Sequence, residues 1–342
     1  MSRVYVGMSG GVDSSLTAAL LKEQGHDVTG VYMKNWTQDL PGMRCPWADD
    51  LSDAKRVAVQ LGIKFKVYDF EAEYKHKVVD YMIAEYQAGR TPNPDIMCNQ
   101  EVKFKLFLDT ALADGAELIA TGHYARTEEG QLQRAVDDNK DQTYFLYRVT
   151  KHALEKTLFP LGDYTKPTVR KMAEERGLVT AGKRDSQGIC FVGSIGIKEF
   201  LSQYITAEHG DIIDRDTRKI VGEHEGAVYY TLGQRHGLNL GGGLPYYVVG
   251  KDMAKNVVYV SRNLEDESMW RKDITLNDIH WINEVPANDE RILVRLRHRG
   301  KLLPATLDND RLVLDEAERA VTAGQSAVIY RGNEVLGGGI VA

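Results

Sequence analysis

The stretch Ser9-Gly10-Gly11-Val12-Asp13-Ser14-Ser15 decides the fold class that this sequence predicts. It joins an apolar run at residues 4–8, typical of a buried strand, to a helical pattern at residues 14–24. Two adjacent glycines let backbone N–H groups approach a phosphate without a Cβ in the way. At the helix start, unpaired N–H groups and the positive end of the helix dipole favour an anion. We therefore predict a phosphate-binding turn; the alternative is a tight turn that only caps the helix.

The turn lacks the lysine of the GxxxxGK[ST] phosphate loop. We therefore do not expect it to cradle a transferable γ-phosphate in the manner of that loop. Asp13 is predicted either to cap the helix or to hold a magnesium ion.

Strand and helix patterns alternate on both sides of this turn. Further strands are predicted at residues 28–33, 63–70 and 118–121, and helices at residues 51–61, 73–88, 100–113 and 166–176. This alternation favours an α/β fold with a doubly wound parallel sheet. Ligands of such sheets bind at the carboxyl ends of the strands, so the residues that follow Met8, Met33 and Thr121 are expected to face one site.

The composition changes after about residue 200, towards glycine, tyrosine and short polar turns. Short strand patterns follow at residues 274–281, 291–299, 304–307, 311–314, 326–330 and 334–341. They predict a small antiparallel barrel or sandwich. We expect three domains: a catalytic domain at 1–199, a small mixed domain at 200–270 and a C-terminal β-barrel at 271–342.

Bulk properties narrow the class of protein. The net charge is −6, from 43 basic and 49 acidic residues, which disfavours an RNA partner without excluding one, because phosphate contacts are local. Three cysteines without a CxxC pair do not propose a disulfide framework or a zinc site. The first apolar run is too short for a signal peptide or a membrane span. We expect a soluble, cytoplasmic enzyme that holds no structural metal.

Two cysteines have neighbours that suggest chemistry. Asn93-Pro94-Asp95-Ile96-Met97-Cys98-Asn99 precedes a helical pattern, with Asp95 as a plausible N-cap. Cys98 would then lie in the first turn, where the dipole raises the thiolate fraction. Cys190 lies in a loop close to Lys183 and Arg184, a setting that suits a sulfur carrier. The alternatives are a buried apolar residue at 98 and a loop cysteine that only packs at 190.

The serine–glycine turn after a first strand resembles the signature of the PP-loop ATP pyrophosphatases, also described as adenine nucleotide alpha hydrolase-like. Members cleave ATP between the α- and β-phosphates and release pyrophosphate. The sequence resembles one branch of this family, the tRNA-specific 2-thiouridylases, over nearly the whole chain. The motifs that carry this resemblance are Asn-Pro-Asp-x-x-Cys-Asn at 93–99, Asp-Ser-Gln-Gly-Ile-Cys-Phe-Val-Gly at 185–193, Thr-Gly-His-Tyr at 121–124, Lys-Asp-Gln at 140–142, Thr-Leu-Gly-Gln-Arg at 231–235 and Gly-Gln-Ser-Ala-Val at 324–328.

The resemblance implies a set of site residues. ATP would be held by Gly7, Met8, Ser9, Gly10, Gly11, Val12, Asp13, Ser14, Met33 and Gly122. The target uridine would contact Asn93, Pro94 and Asp95. Other parts of the tRNA would contact His123, Lys140, Asp141, Gln142, Arg297, His298 and Gln325. The catalytic residues would be Cys98, Cys190 and Asp95, the last as a general acid or base or simply as a helix cap.

The implied reaction is ATP-dependent 2-thiolation of the wobble uridine of tRNA, with ATP and Mg²⁺ as cofactors. Adenylation of the 2-carbonyl oxygen supplies a leaving group and releases pyrophosphate. As a hypothesis, Cys190 carries a persulfide sulfur from a donor protein to the activated carbon. Cys98 then frees that sulfur for the base, leaving AMP and a Cys98–Cys190 disulfide that a reductant resets.

Two other readings stay open at this point. A PP-loop ligase that makes a small molecule would have no use for two reactive cysteines or for an added barrel. A non-catalytic RNA-binding or redox adaptor would have no use for an intact phosphate loop. For the RNA itself, a strand over residues 291–299 would place Arg295, Arg297, Arg299 and Lys301 on one face as a positive stripe, unless nearby carboxylates neutralise it.

Overall fold

The computed structural model describes residues 1–39, 45–184, 196–241, 243–263 and 265–342. The first part of the chain contains β1 (Arg3–Gly7), β2 (Asp27–Lys34), β3 (Lys64–Asp69), β4 (Leu118–Ala120), β5 (Arg126–Glu128), β6 (Gln131–Gln133) and β7 (Thr157–Leu158). Its helices are α1 (Val12–Glu23), α2 (Trp47–Leu61), α3 (Glu71–Tyr74), α4 (Asp80–Gln87), α5 (Pro94–Met97), α6 (Phe107–Ala113), α7 (Lys151–Glu155), α8 (Lys166–Glu175) and α9 (Ile197–Leu201). π-helical segments at Lys75–Val79 and Cys98–Leu106 join α3 to α4 and α5 to α6.

The first sheet confirms the predicted doubly wound parallel architecture. Within the described residues its strand order is β3-β2-β1-β4-β7, and every neighbouring pair is parallel. Successive side chains of a strand point to opposite faces. Val4 and Val6 accordingly pack with α1 and α2, whereas Tyr5 packs with α4 and α6. Helices therefore cover both faces of the sheet, and its loops are free to build a site at the carboxyl edge.

A small mixed sheet follows in the middle of the chain. Its strands are β8 (Gly210–Asp214), β9 (Ile220–His224), β10 (Tyr247–Asp252) and β11 (Val257–Ser261), in the order β10-β11-β8-β9. The pair β11–β8 is parallel and the other two pairs are antiparallel. The predicted small mixed unit is thus present.

The last part of the chain is a closed antiparallel barrel. It consists of β12 (Trp270–Trp281), β13 (Arg291–Arg295), β14 (Leu303–Asp308), β15 (Arg311–Arg319), β16 (Ser326–Arg331) and β17 (Glu334–Val341). The order is β12-β15-β14-β13-β16-β17, and pairing of β12 with β17 closes the ring. Its core is a separate cluster of small and branched aliphatic side chains. The barrel prediction is confirmed, and the sandwich alternative is wrong.

One hairpin crosses between these units. Strands β5 and β6 follow the parallel sheet in sequence but extend the barrel sheet, with Val335 opposite Leu132. The division into domains 1–199, 200–270 and 271–342 stays a prediction. None of the helices in the described part of the chain is long and apolar enough to span a bilayer.

The candidate nucleotide and thiol site

The glycine turn joins β1 to α1 as predicted, and its shape requires glycine at position 10. Gly10 has φ +74°, the left-handed region that side chains disfavour, and a Cβ there would overlap the carbonyl oxygen of Asp50 in α2. The hydroxyls of Ser14 and Ser15 both donate to the Gly11 carbonyl, at 3.2 and 2.7 Å. These contacts fix the start of α1 at the carboxyl end of β1. The first N–H groups of α1 have no acceptor within the helix.

Several residues of the predicted ATP site can act only through their backbone. Met8 and Val12 are 1% and 3% exposed and belong to the core. Ser9, in contrast, is exposed, and its N–H donates to the Ser14 hydroxyl at 3.2 Å. The turn therefore offers a polyphosphate the first N–H groups of α1 and the exposed side chain of Ser9, while the hydroxyls of Ser14 and Ser15 stabilise the turn itself.

The carboxyl ends of neighbouring strands meet at this turn, which confirms the expectation of one shared edge. A Cβ on Gly122, after β4, would lie 2.8 Å from the Ser14 nitrogen. A Cβ on Gly7 would lie 3.0 Å from Cε of Met33 in β2. Gly7, Met33 and Gly122 therefore surround the turn closely, and the absence of side chains at 7 and 122 is what lets the three strands converge.

Asp13 neither caps α1 nor stands open to a metal ion. The N-cap of α1 is Gly11, without a side-chain cap. Both carboxylate oxygens of Asp13 accept from Nζ of Lys166, at 2.7 and 2.8 Å, and Tyr124 donates its hydroxyl to Oδ1 at 2.9 Å. Lys166 is 8% exposed and opens α8. The structure thus supplies a lysine beside the phosphate turn from a distant part of the chain.

The helix that carries Cys98 begins earlier than predicted. We call α5, the segment Cys98–Leu106 and α6 together the Cys98 helix. Its N-cap is Asn93, whose side chain accepts from the Asp95 N–H at 3.2 Å, and Pro94 occupies the first turn. The predictions of Asp95 as N-cap and of Cys98 in the first turn are therefore wrong. Cys98 follows that first turn and is buried, 3% exposed.

A short series of contacts connects the phosphate turn to the Cys98 helix. Gly122 lies against the start of α1, and the next residue, His123, packs its ring 5.5 Å from that of Phe104. The charge of Lys103 acts on both His123 and Asp95. The nucleotide turn and the Asn93–Cys98 segment therefore lie near the same carboxyl edge of the sheet, although α1 and α6 cover opposite faces of it. Cys190 lies outside the described residues, so the predicted approach of the two thiols stays a prediction.

His123 is a buried ring in this structure. It is 8% exposed, its Nδ1 is 2.8 Å from the Thr121 hydroxyl, and it contacts Phe159 as well as Phe104. Burial, with a smaller contribution from Lys103, holds the pKa of His123 well below the usual histidine range. The ring is therefore neutral at physiological pH, and a tRNA contact through it requires its neighbours to move.

The Lys140–Gln142 stretch is fixed by the barrel. The Asp141 carboxylate accepts from Nη1 of Arg295 at 2.9 Å and from the Thr143 hydroxyl at 2.8 Å, and its side chain is fully buried. Gln142 accepts from the Tyr124 N–H at 2.9 Å. Asp141 thus joins the catalytic part of the chain to β13. The tRNA contact of this stretch stays a prediction, and the half-buried Lys140 is the residue best placed to make it.

The predicted positive stripe is wrong. Strand β13 ends at Arg295, whose side chain turns inward to Asp141, and residues 296–299 form bends and turns. Arg299 has φ +60° and donates Nε–H to the Asn139 carbonyl at 3.1 Å. Arg297 is exposed, as an RNA contact requires. The prediction failed because β13 ends at Arg295 and because the Arg295 side chain turns inward to Asp141, a distant partner that the local sequence does not reveal.

His298 and Gln325 also make protein contacts. The His298 ring lies 4.5 Å from that of Phe145, and burial, aided by Arg299 and Arg295, lowers its pKa to about 4. It is therefore neutral at pH 7 and offers a ring face rather than a charge. Gln325 donates from Nε2 to the Thr91 carbonyl at 2.7 Å, two residues before Asn93.

Lys166, Tyr124 and Arg295 belong to this network, although the sequence did not predict them as parts of it. Each acts over more than a hundred residues of sequence, from position 166 or 124 to 13 and from 295 to 141. Only the position of Lys166 beside a proline at a helix start was a local signal, and it indicated a helix rather than a phosphate site.

Burial raises the pKa of the Asp95 carboxyl above the usual aspartate range, and Lys103 partly opposes this effect. The folded state therefore loses stability as the pH rises through the interval between the ordinary and the raised pKa. We expect Asp95→Asn to unfold at a higher temperature than wild type at neutral pH, with the gain vanishing below the ordinary aspartate range. Thermal unfolding at several pH values measures this difference, with Asp109→Asn, exposed on the same helix, as control. A lower melting temperature for Asp95→Asn at pH 7 would show that the carboxylate is stabilised instead.

The turn, the Asp13–Lys166 pair and the Cys98 helix on one sheet edge define a PP-loop type of nucleotide-dependent enzyme. Family models match the chain in three consecutive parts: a tRNA methyl transferase HUP domain at residues 2–194, a tRNA methyl transferase PRC-barrel domain at 198–262 and an aminomethyltransferase beta-barrel domain at 271–341. Curated relatives match over nearly full length. The chain belongs to the family of tRNA-specific 2-thiouridylases.

The relatives are named tRNA-specific 2-thiouridylase MnmA in each case. The protein of Streptococcus agalactiae serotype III is 48% identical over 99% of this chain and 95% of its own length. That of Pseudoalteromonas translucida is 48% identical over 99% of this chain and 97% of its own. That of Bacillus thuringiensis is 45% identical over 99% of this chain and 94% of its own. All three matches include the middle sheet and the barrel, which a small-molecule ligase built on the first sheet alone would not need.

Proposed function

We propose that this chain is a tRNA-uridine 2-sulfurtransferase that uses ATP to replace the 2-oxygen of a tRNA wobble uridine with sulfur. The observation that carries the proposal is the placement of a phosphate turn and a cysteine-bearing helix at one edge of the parallel sheet, linked through Gly122, His123 and Phe104. The similarity to 2-thiouridylases over 99% of the chain supports the same substrate class.

The residues of the turn fit a bound ATP. Gly10 lets the turn pack closely against α2, and Gly122 lets the segment after β4 pack against the start of α1, whose first N–H groups have no acceptor within the helix and can bind phosphate. ATP supplies an adenylyl group that turns the uridine 2-oxygen into a leaving group. The protein's part is to hold the phosphates on the turn and the base over the Asn93–Asp95 segment, which brings both reactants together.

The proposed steps balance in atoms and electrons. The uridine 2-oxygen bonds to the α-phosphorus and pyrophosphate leaves. The outer sulfur of a persulfide on Cys190 bonds to C2; Cys98 as thiolate then bonds to the Cys190 sulfur, and the S–S electron pair passes to the sulfur on C2. The C2–O bond breaks and AMP leaves, so a Cys98–Cys190 disulfide remains. A persulfide-donating protein and a thiol reductant complete the cycle.

Lys166 suits the task of the missing phosphate-loop lysine. Its ammonium group contacts Asp13 in the first turn of α1. It therefore lies close to the place where a phosphate group of ATP would bind. In this structure the lysine neutralises Asp13, so that no uncompensated carboxylate opposes an anion at the turn. A magnesium ion that arrives with ATP would be held by the phosphates rather than by Asp13, because both Asp13 oxygens accept from Lys166.

We expect Lys166→Met to weaken ATP binding by roughly 10- to 100-fold. The change removes a charged donor, worth about 1.5–3 kcal/mol, and leaves Asp13 to repel the phosphates. Titration calorimetry with ATP and magnesium measures the effect. The matched control is Lys171→Met on the same helix, where the side chain is 76% exposed and its ion pair with Glu175 is 3.8 Å long. Equal ATP affinity for Lys166→Met and wild type would show that Lys166 serves only the fold.

The nucleotide products test the cleavage position. Incubation with tRNA, ATP, magnesium and a sulfur source is expected to yield AMP and pyrophosphate. Finding ADP and phosphate instead would contradict the reading of the turn as a pyrophosphate site.

A further inference from the structure

Thr91 lies where the three sheets meet, just before the segment proposed to hold the uridine. It is 8% exposed. Its N–H donates to the Ala323 carbonyl at 2.9 Å, and its carbonyl accepts from Nε2 of Gln325 at 2.7 Å. Its hydroxyl lies 3.2 Å from the hydroxyl of Thr231 in the middle part of the chain. One residue of the catalytic part thus bonds to both other parts.

The two partners of Thr91 are themselves held in place. In the barrel, Gly324 has φ +89°, and a Cβ there would lie 2.8 Å from the Thr91 nitrogen, so the turn fits closely against the segment. In the middle part, the Thr231 N–H donates to Oε1 of Gln234 at 3.0 Å. The N–H of Gly233 donates to Val248 in β10 at 2.8 Å. Thr91 is therefore tied to two anchored turns rather than to mobile side chains.

The chain between Thr91 and the Cys98 helix has little freedom. Pro92 and Pro94 flank Asn93, and each proline ring fixes its own φ near −65°. Asn93 in turn caps the helix through the Asp95 N–H. A displacement of Thr91 therefore reaches Asn93 and the start of the Cys98 helix instead of being absorbed by the linker.

The Cys98 helix has a second connection to the barrel, which limits what Thr91 controls. Arg148 donates to the Gln100 side chain on that helix and to the Asp278 carbonyl in β12, the latter at 2.9 Å. This connection holds the helix at Gln100, between one and two turns after its start at Pro94. The Thr91 contacts are the ones that set the Asn93–Asp95 end.

We infer that Thr91 is a positioning residue: its bonds to Thr231 and Gln325 set the Asn93–Asp95 segment for sulfur transfer. The inference rests on the proposed function and deepens it. The middle sheet and the barrel then do more than contact RNA, since their turns fix the geometry of the segment that receives the uridine. Gln325 acts on the reaction from the protein side through the Thr91 carbonyl.

The test is steady-state kinetics of 2-thiouridine formation by the full chain with tRNA, ATP, a persulfide source and a thiol reductant. Thr91→Val and Thr231→Val each remove one hydroxyl with little change of shape. Each is expected to lower kcat by roughly tenfold, with KM for tRNA and the affinity for ATP within about twofold of wild type, because misplacement slows the chemical step. Thr91→Ser and Thr231→Ser keep a hydroxyl and are expected to restore most of the rate.

Two comparisons separate positioning from general damage. The control Thr110→Val removes a hydroxyl that, among the residues the structure describes, donates to the Leu106 carbonyl of its own helix at 2.7 Å, and it is expected to keep the wild-type kcat. The double variant Thr91→Val with Thr231→Val is expected to be no slower than either single variant, because both remove the same interaction. Additive losses would overturn the inference.

Gln325→Leu distinguishes the two roles of that side chain. A fall in kcat at unchanged KM for tRNA supports positioning, whereas a rise in KM alone would show that Gln325 only contacts RNA and would overturn its part of the inference. If Thr91→Val fails to fold by circular dichroism, Thr231→Val, with its hydroxyl in the other turn, decides the matter. Wild-type protein that makes no 2-thiouridine would refute the proposed function itself, whereas unchanged kcat in both threonine variants would refute the inference alone.

Discussion

Cys98→Ser is expected to abolish thiolation, by on the order of 10³-fold or more, while ATP binding and the melting temperature stay close to wild type. Serine has nearly the shape of cysteine, so the buried position at 3% exposure accepts it with little disturbance. A hydroxyl is not appreciably ionised at neutral pH and does not form the disulfide that releases sulfur to the base. Mass analysis of tRNA nucleosides after a timed reaction measures the loss.

Cys45→Ser is the matched control for this change. Cys45 is also buried, at 6% exposure, and its thiol donates to the Trp36 carbonyl at 3.6 Å, an interaction that a hydroxyl can keep. It is expected to thiolate tRNA at close to the wild-type rate. Near-normal thiolation by Cys98→Ser would contradict the two-thiol scheme, whatever the behaviour of Cys190.

Gly10→Ala is expected to remove ATP-dependent activity by on the order of 10²-fold and to destabilise the protein as well. The left-handed backbone alone costs alanine about 1–2 kcal/mol, and the added Cβ overlaps the Asp50 carbonyl. The turn and the start of α2 must then separate, which moves the phosphate donors. ATP titration and thermal unfolding together measure both effects.

Two further glycine variants separate the effect of backbone strain at position 10 from the effect of a side chain that blocks the approach of phosphate. Gly11 has φ −92°, and within the described part of the chain a Cβ there would meet the Ser9 hydroxyl at an ordinary 3.5 Å. Gly11→Ala is therefore expected to keep the wild-type stability, so any loss of ATP affinity reports the close approach of phosphate. Gly241→Ala, where no atom of the described residues lies within 4 Å of the added Cβ, is the control for stability and binding. Wild-type ATP affinity in Gly10→Ala would show that nucleotide binds elsewhere.

The parts of this fold that depend on local pattern were predictable from the sequence. Alternating apolar runs and helical stretches gave the parallel sheet, and short strands with polar turns gave the barrel. The start of the Cys98 helix was also within reach of local reasoning, because Asn93 followed by Pro94 is a common cap and first-turn pair. The prediction of Asp95 as the N-cap started the helix too late and therefore placed Cys98 in its first turn.

The parts that depend on distant pairs were not predictable in the same way. The Asp13–Lys166 pair spans 153 residues, and the Asp141–Arg295 pair spans 154. The first changes the expected role of Asp13, and the second takes Arg295 out of the predicted positive stripe. The hairpin β5–β6 joins the barrel through one edge of β17, a pairing that its short alternating sequence does not specify. A local sequence pattern thus predicts a strand or helix better than it predicts which distant residue that strand or helix will contact.

The central claim is that one sheet edge brings a nucleotide turn and a reactive thiol to a tRNA uridine. Its most direct test is nucleoside mass analysis of tRNA that has been incubated with the full chain, ATP, magnesium, a persulfide source and a thiol reductant. The account predicts 2-thiouridine, formed only when ATP is present and accompanied by AMP. Unmodified uridine under these conditions, from protein shown to bind both ATP and tRNA, would contradict it.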